Sequence, residues 1–306
     1  MRPALLAWLL AVPLLLRAAD GPVTLSNARI EAGIDVPHGL ILGFGRTGRE
    51  NLLWVNPHPL SSARSAGWVN YGGEKLWWGP QVDWQAVQGR RFPPDEALDG
   101  PWTVTARAPD RLRMESAVSP WVGIRAEREI VLDPAGDGLV VHNRFTRVRP
   151  SPQRLQLWTV CVVPRPRWCW LESRPRPGAA PFVNLRPTLD PGAAVRADSA
   201  HGFVRAEAAE HAYLIGTHGG WIAAVYADYI LVHEVEPFPD GEYAEQVAVQ
   251  LFFGPAYAEL ETLGGLANPA VGGSMSNQVR WRRLDRPVQL SEGELLDWLH
   301  GQLGRK

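Results

Sequence analysis

The chain has 306 residues, 45% of them hydrophobic, enough to bury the core of one large all-β domain or of two smaller ones. Its 31 Lys and Arg are scattered among 32 Asp and Glu for a net charge of -1, so no basic stripe is available to a nucleic acid and none is expected as a partner. Two cysteines outside any CxxC pair, with no clustered histidines, give no support for a zinc or haem site, and neither metal nor cofactor is expected.

The chain begins MRPALLAWLLAVPLLLRAADG, with one positive charge at Arg2, an apolar run over 4–16, and small residues at Ala18 and Ala19. This reads as a secretory signal peptide over 1–19, cleaved after Ala18 or Ala19. The run is too short to span a bilayer comfortably and contains Pro13, so no stable membrane association is expected once it is removed. The mature protein is then periplasmic or secreted. In such an oxidising compartment Cys161 and Cys169 could close a disulfide through Pro164 and Pro166; two buried free thiols are the other reading, and spacing does not choose.

Strand-like runs follow over 23–30, 39–44 and 51–55. Alternation is then lost from 68 to 102, where Pro and Gly punctuate every few residues and no helix or strand period survives. This stretch holds five of the chain's 14 tryptophans, Trp68, Trp77, Trp78, Trp84 and Trp102, among Asn70, Tyr71, Lys75, Gln81, Asp83, Asp95, Glu96 and Asp99. Long irregular loops inside compact domains are usually functional. Flat indole faces beside fixed amides, carboxylates and an ammonium suit a ligand with apolar C–H faces and many hydroxyls, such as a sugar; core or lid packing is the competing reading of the same tryptophans. Whether Asp83, Asp95 and Asp99 sit around an ion is left open.

Runs over 102–108, 111–118, 122–132 and 138–148 resume the strand pattern, with clear alternation in Gly123 to Leu132. Further runs over 154–163, 202–207, 212–217, 221–236, 242–253, 256–263 and 278–284 continue it. No amphipathic helix of useful length separates them, which predicts antiparallel meanders. A Pro/Arg-rich segment over 164–187 reads as a long excursion within one domain. Only the C-terminus is helical in pattern: Ser291 to Glu294 forms a capping box, and Leu295, Leu296, Trp298, Leu299 and Leu303 follow at helical spacing.

On a strand, residues two apart face the same side, so Tyr257, Glu259 and Glu261 project together while Leu260 points away. Paired carboxylates repel, which raises one pKa and prepares an acid or a base; a solvated or charged edge strand is the alternative.

The run YAELETLGG over 257–265, preceded by FPDGE over 238–242 and followed by Gly272-Gly273 and the strand Val279 to Leu284, resembles the end of proteins in the galactose mutarotase-like superfamily. Together with Glu50 to Pro57, Tyr71 to Trp77 and Pro93 to Gly100, it resembles more closely an uncharacterised exported family of that superfamily, over residues 24–285. The resemblance implies an all-β, galactose mutarotase-like β-supersandwich of mainly antiparallel strands over 20–286, a carbohydrate-sized cleft on one sheet, and a short C-terminal helix within 287–306. In aldose 1-epimerases a glutamate in a Leu-Glu-Thr-Gln-like run takes the anomeric hydroxyl proton, and a histidine protonates the ring oxygen. The glutamate matches Glu261, with Glu259 its rival. Where the epimerases have His-Gly-Gly this chain has Tyr71-Gly72-Gly73, and the strand expected to carry the acid histidine reads Leu157 to Val163 without one. Lys75, Tyr71 or His233 are the substitutes as donor.

Three readings remain. One is carbohydrate binding without turnover, on a platform of Trp77, Trp78 and Trp84 with Asn70, Tyr71, Lys75, Gln81, Asp83, Asp95, Trp158 and Tyr257 around it. The second is an epimerase-like enzyme with Glu261 as base and a non-standard acid. The third is a structural or interaction β-sandwich.

Overall fold

The computed structural model describes residues 22–57, 70–90, 95–134, 136–237 and 242–304. The expected leader 1–19, Trp68, Pro93-Pro94 and the 238–241 turn lie outside the described residues. In chain order the strands are β1 (Val23–Ser26), β2 (Ile30–Asp35), β3 (Leu40–Arg46), β4 (Glu74–Gly79), β5 (Thr103–Ala108), β6 (Arg111–Val118), β7 (Ile124–Leu132), β8 (Gly138–Arg147), β9 (Gln156–Pro164) and β10 (Trp168–Glu172). The remainder are β11 (Val183–Asn184), β12 (Val195–Asp198), β13 (Phe203–Glu207), β14 (Tyr213–Thr217), β15 (Trp221–Val225), β16 (Tyr229–Val235), β17 (Val249–Phe253), β18 (Tyr257–Leu263) and β19 (Ser274–Asp285). Helices α1 (Trp84–Gln88) and α2 (Glu292–Gln302) complete the described elements of length.

Among the described residues the strands form two sheets, one of nine strands in the order β1-β2-β3-β4-β9-β18-β17-β14-β11 and one of ten in the order β12-β13-β10-β15-β16-β19-β8-β7-β6-β5. Alternation drives the layering: along β7, Ile124, Ala126, Ile130 and Leu132 are buried, with Arg128 on the same side, while Arg125, Glu127, Glu129 and Val131 are not. These and the matching residues of both sheets share one core, as a β-sandwich requires. The second face of β15 and β16, with Trp221, Ala223 and Val232, packs under Leu295, Leu296 and Leu299 of α2. The expected capping box holds that helix's start: the Ser291 hydroxyl accepts from the Glu294 N–H, and the Glu294 carboxylate accepts from the Ser291 N–H.

Several expected runs resolve differently. The 23–30 run breaks where the Asn27 side chain accepts from the N–H groups of Arg29 (2.8 Å) and Ile30 (2.9 Å), a turn that competes with the ladder. The 221–236 run is a hairpin, β15 and β16, and the 242–253 run is strand only over Val249–Phe253. The 51–55 run is a loop with one bridge, Val55 to Gly72. Conversely, the supposedly patternless 68–102 stretch supplies β4, in the interior of the nine-stranded sheet. Every residue of β4 is buried, so it has no alternation to read. The Pro/Arg-rich excursion likewise contains β10 and β11.

Of the two readings of the cysteines, the structure has the free thiols. Cys161 on β9 and Cys169 on β10 are both buried free thiols, because the chain passes from one sheet to the other between them. Burial pushes both thiols well up. Among the described residues no helix is long and apolar enough to cross a membrane.

Candidate functional site

The register of the nine-stranded sheet gathers the site. Lys75 on β4 lies opposite Val160 on β9, Val160 opposite Glu261 on β18, and Glu261 opposite Gln250 on β17. In the neighbouring rows Trp77 meets Trp158, which meets Leu263, and Glu259 meets Phe252. Opposed residues share a face, so one side of this sheet carries Lys75, Trp77, Trp158, Tyr257, Glu259 and Glu261 together.

Above that face lies a cleft of about 300 Å³. Its walls include the half-buried aromatic rings of Trp158, Phe252 and Tyr257, and its polar lining comes from Glu245, Gln156, Arg186, Gln250, Glu259 and Glu261. A chain of hydrogen bonds runs along the floor. The Lys75 ammonium donates to Asn70 Oδ1 at 2.6 Å, and Asn70 Nδ2 donates to Glu259 at 2.5 Å. Trp158 Nε1 donates to Glu261 at 2.7 Å, and Gln156 Nε2 donates to Glu245 at 3.0 Å.

Burial raises the Glu261 carboxyl well above its ordinary range, and the neighbouring Glu259 charge raises it further. Glu259 is raised by burial too, but Lys75 and Asn70 oppose the rise. Of the two, Glu261 has the surroundings that favour the proton more. Burial also raises Glu245, and it lowers Lys75, against which the surrounding carboxylates pull upward. Two carboxyl groups with different proton affinities on one strand face can give and take a proton at a bound hydroxyl.

The structure brings together eight of the expected site residues: Asn70, Lys75, Trp77, Gln81, Trp158, Tyr257, Glu259 and Glu261. Others are placed elsewhere. Trp84 is fully buried behind the cleft, edge-on to Trp77 at 5.4 Å, with its N–H donated to the Trp78 carbonyl at 2.9 Å. Trp78 is likewise fully buried and belongs to the core, so neither ring is a sugar platform. Asp95 is buried against the Ser119 hydroxyl and the Ala97 N–H, where it ties down a turn. Asp83 accepts from Gln153 at 2.5 Å, and Tyr71 lies outside the cleft lining. These aspartates do not converge, and among the described residues no group of three His, Cys, Asp or Glu is placed to hold a metal ion.

His233 is corrected as a candidate acid. It sits on β16 in the other sheet, buried and stacked on Trp281 at 4.5 Å, and burial pushes its pKa down to about 3. A neutral ring in the sandwich interior donates no proton to the cleft.

Gln156 was missed although the signal was present, since it shares the strand parity of Trp158 on β9; Gln250 and Phe252 lie on β17, which carries no expected site residue, and only the register with Glu261 and Glu259 brings them to the cleft. Arg186 and Glu245 come from loops, where no period exists to find them.

No protein-family model matches the chain, and a search of curated protein sequences finds no significant match. Solved structures do match. A proposed aldose 1-epimerase from Escherichia coli K12 is 16% identical with a TM-score of 0.53, covering 86% of this chain and 98% of its own. Galactose mutarotase-like proteins from Lactobacillus casei (10% identity, TM-score 0.58, 86% of this chain and 100% of that one) and Clostridium acetobutylicum (10%, 0.55, 86% and 95%) are similar over the same extent. The chain has the galactose mutarotase-like fold.

Proposed function

We propose that the cleft binds a sugar. The observation that carries this reading is the combination of half-buried Trp158, Phe252 and Tyr257 faces with a floor of hydrogen-bonded carboxylates, amides and Lys75. Aromatic faces take the C–H side of a sugar ring, and the polar groups take its hydroxyls. The names of the structural neighbours support it, and the leader-like 1–19 segment supports an exported location.

A second reading is favoured by the coupled pair on β18: the cleft interconverts sugar anomers. Glu259, held toward its ionised form by Lys75 and Asn70, takes the proton of the anomeric hydroxyl. The C1–O5 bond breaks with its electron pair moving to O5, and Glu261, which carries the proton, delivers it there. The open-chain aldehyde rotates about C1–C2 and closes by the reverse transfers. This inverts the epimerase-like assignment of Glu261 as base, because burial and the Glu259 charge favour the proton on Glu261, whereas Lys75 and Asn70 favour the ionised form of Glu259.

Exchange NMR on freshly dissolved aldoses, with tryptophan fluorescence in parallel, tests both readings. Wild type is expected to quench or enhance fluorescence with at least one aldose. If the pair is catalytic, anomer exchange accelerates, and Glu259→Gln and Glu261→Gln each lose about 100-fold or more. Fluorescence response without exchange leaves binding alone; no response to any aldose overturns the sugar reading.

A further inference from the structure

The cleft is closed along one row of the sheet and runs on along the next. Gln250, opposite Glu261, is followed on β14 by Gly216, where the buried Val247 side chain would meet a Cβ at 2.7 Å and fills the sheet face. The row of Glu259 continues instead. Glu259 is opposite Phe252, Phe252 is opposite Leu214, and Leu185, just beyond β11, donates its N–H to the Leu214 carbonyl at 2.9 Å. Phe252, Leu214 and Leu185 are half-buried and line the same cleft as Glu259. At about 4.8 Å per strand Leu185 lies roughly 14 Å from Glu259, so an apolar strip longer than one sugar ring leads away from the acid pair.

A cation reaches over this strip. Strand parity would send Arg186 away from the side of Leu185, but the Asn184 side chain accepts the Arg186 N–H at 3.0 Å and the Arg186 carbonyl accepts from Leu189 at 2.8 Å, a turn that brings Arg186 to the cleft wall. The side chain is exposed, and its charge opposes the rise of both the Glu259 and the Glu261 carboxyl, so the guanidinium leans from the far end of the strip back toward the pair. Among the described residues that guanidinium makes no hydrogen bond or ion pair. A second sugar unit on the strip would set its hydroxyls against Phe252, Leu214 and Leu185, none of which can hydrogen-bond them. A flat apolar ring buries one face on those three side chains and offers the other to the guanidinium, which stacks on aromatic rings.

We propose that the ligand of the cleft is an aryl glycoside: a sugar over Glu259 and Glu261 that carries an aromatic group on its anomeric oxygen, with the aromatic ring held between the strip of Phe252, Leu214 and Leu185 and the Arg186 guanidinium. The proposal rests on the sugar reading of the cleft and names its ligand class. The anomeric oxygen is the point of attachment because the strip begins beside Glu259, the group that meets that oxygen in the anomer-exchange reading. A glycoside has no anomeric hydroxyl proton to give, so this ligand is held without exchange. The cleft volume of about 300 Å³ is at the lower end for small-molecule pockets, which favours one added ring over a longer chain.

The test is calorimetric titration of the full mature chain with the methyl, cyclohexyl and phenyl glycosides of glucose, galactose and mannose, in both anomers, beside the free sugars. The phenyl glycoside of the preferred sugar is expected to bind about tenfold or more tightly than its methyl glycoside, with the cyclohexyl glycoside between them. Leu214→Asn puts an amide into the strip and is expected to bring the phenyl glycoside close to the methyl one. Arg186→Met keeps an apolar side chain of similar length at an exposed position and removes the charge; it is expected to weaken the phenyl glycoside about threefold or more and to leave the cyclohexyl glycoside unchanged. A phenyl glycoside no tighter than the methyl glycoside, or a gain that survives in both variants, overturns the aryl site and leaves the sugar reading standing. Free sugars that bind while every glycoside fails also overturn it, since the anomeric oxygen then faces a wall. Binding of no sugar and no glycoside overturns both.

Discussion

Glu261 faces two demands that pull apart. Buried and beside Glu259, it is most comfortable neutral, yet Trp158 donates an N–H to it, an interaction that favours the carboxylate. A folded-state pKa above the unfolded one means that the folded chain binds the extra proton. Stability is then full at low pH, below the unfolded value, and is lost as pH rises through the raised value. Glu261→Gln removes the titrating group while keeping an acceptor for Trp158. It is expected to leave stability at pH 4 almost unchanged and to raise it by about 1–3 kcal/mol at pH 8, read from urea unfolding at the two pH values. Equal effects at both pH values would show that Glu261 is ionised in the folded chain.

At the scale of elements, the site depends on how β4 enters the sheet. Gly72 and Gly73 have φ of 78° and 63°, and a Cβ on Gly72 would come within 2.1 Å of the Trp54 carbonyl oxygen. That close turn sets the register that puts Lys75 opposite Val160 and Trp77 opposite Trp158. Gly48 has a similar φ of 69° but open space around it. Gly48→Ala is therefore expected to cost about 1 kcal/mol from backbone strain alone, and Gly72→Ala about 2–4 kcal/mol, compared through urea midpoints and slopes. Similar losses at the two positions would show that the close approach at Gly72 relaxes.

The same elements explain what could be read in advance. β18 was legible because Tyr257, Glu259 and Glu261 alternate with buried Ala258 and Leu260. β4 was not, because a strand buried on both faces shows no period and its tryptophans mix wall (Trp77) with core (Trp78). The donors and acceptors brought by Arg186 and Glu245 arrive through loops whose course depends on tertiary packing. The run over 212–217 was legible as β14, but its pairing with β11, which extends the face beyond the acid pair, became visible only through register.

Across the whole molecule, one buried ion pair joins the two sheets. Arg128 of β7 and Glu74 of β4 are 0% and 2% exposed at their side chains and contact each other across the core. Arg128 also donates to the Gly39 carbonyl at 2.8 Å and to Asn143 at 3.1 Å, and Asn143 donates in turn to Asn277 at 3.1 Å. Glu74 precedes Lys75, so the strand turns one side chain into this clamp and the next toward the cleft. Breaking the pair from one side strands a buried charge. Arg128→Met is expected to destabilise by about 3–5 kcal/mol, because Glu74 then has no counter-charge and too little water to replace it. Glu74→Gln together with Arg128→Met removes both charges and is expected to recover more than half of that loss in urea unfolding. If the double variant is no more stable than the single, the clamp acts through the Gly39 and Asn143 hydrogen bonds rather than through charge. If it recovers stability yet loses the fluorescence response to sugar, the pair's work is to hold β4 at the depth where Lys75 reaches Asn70.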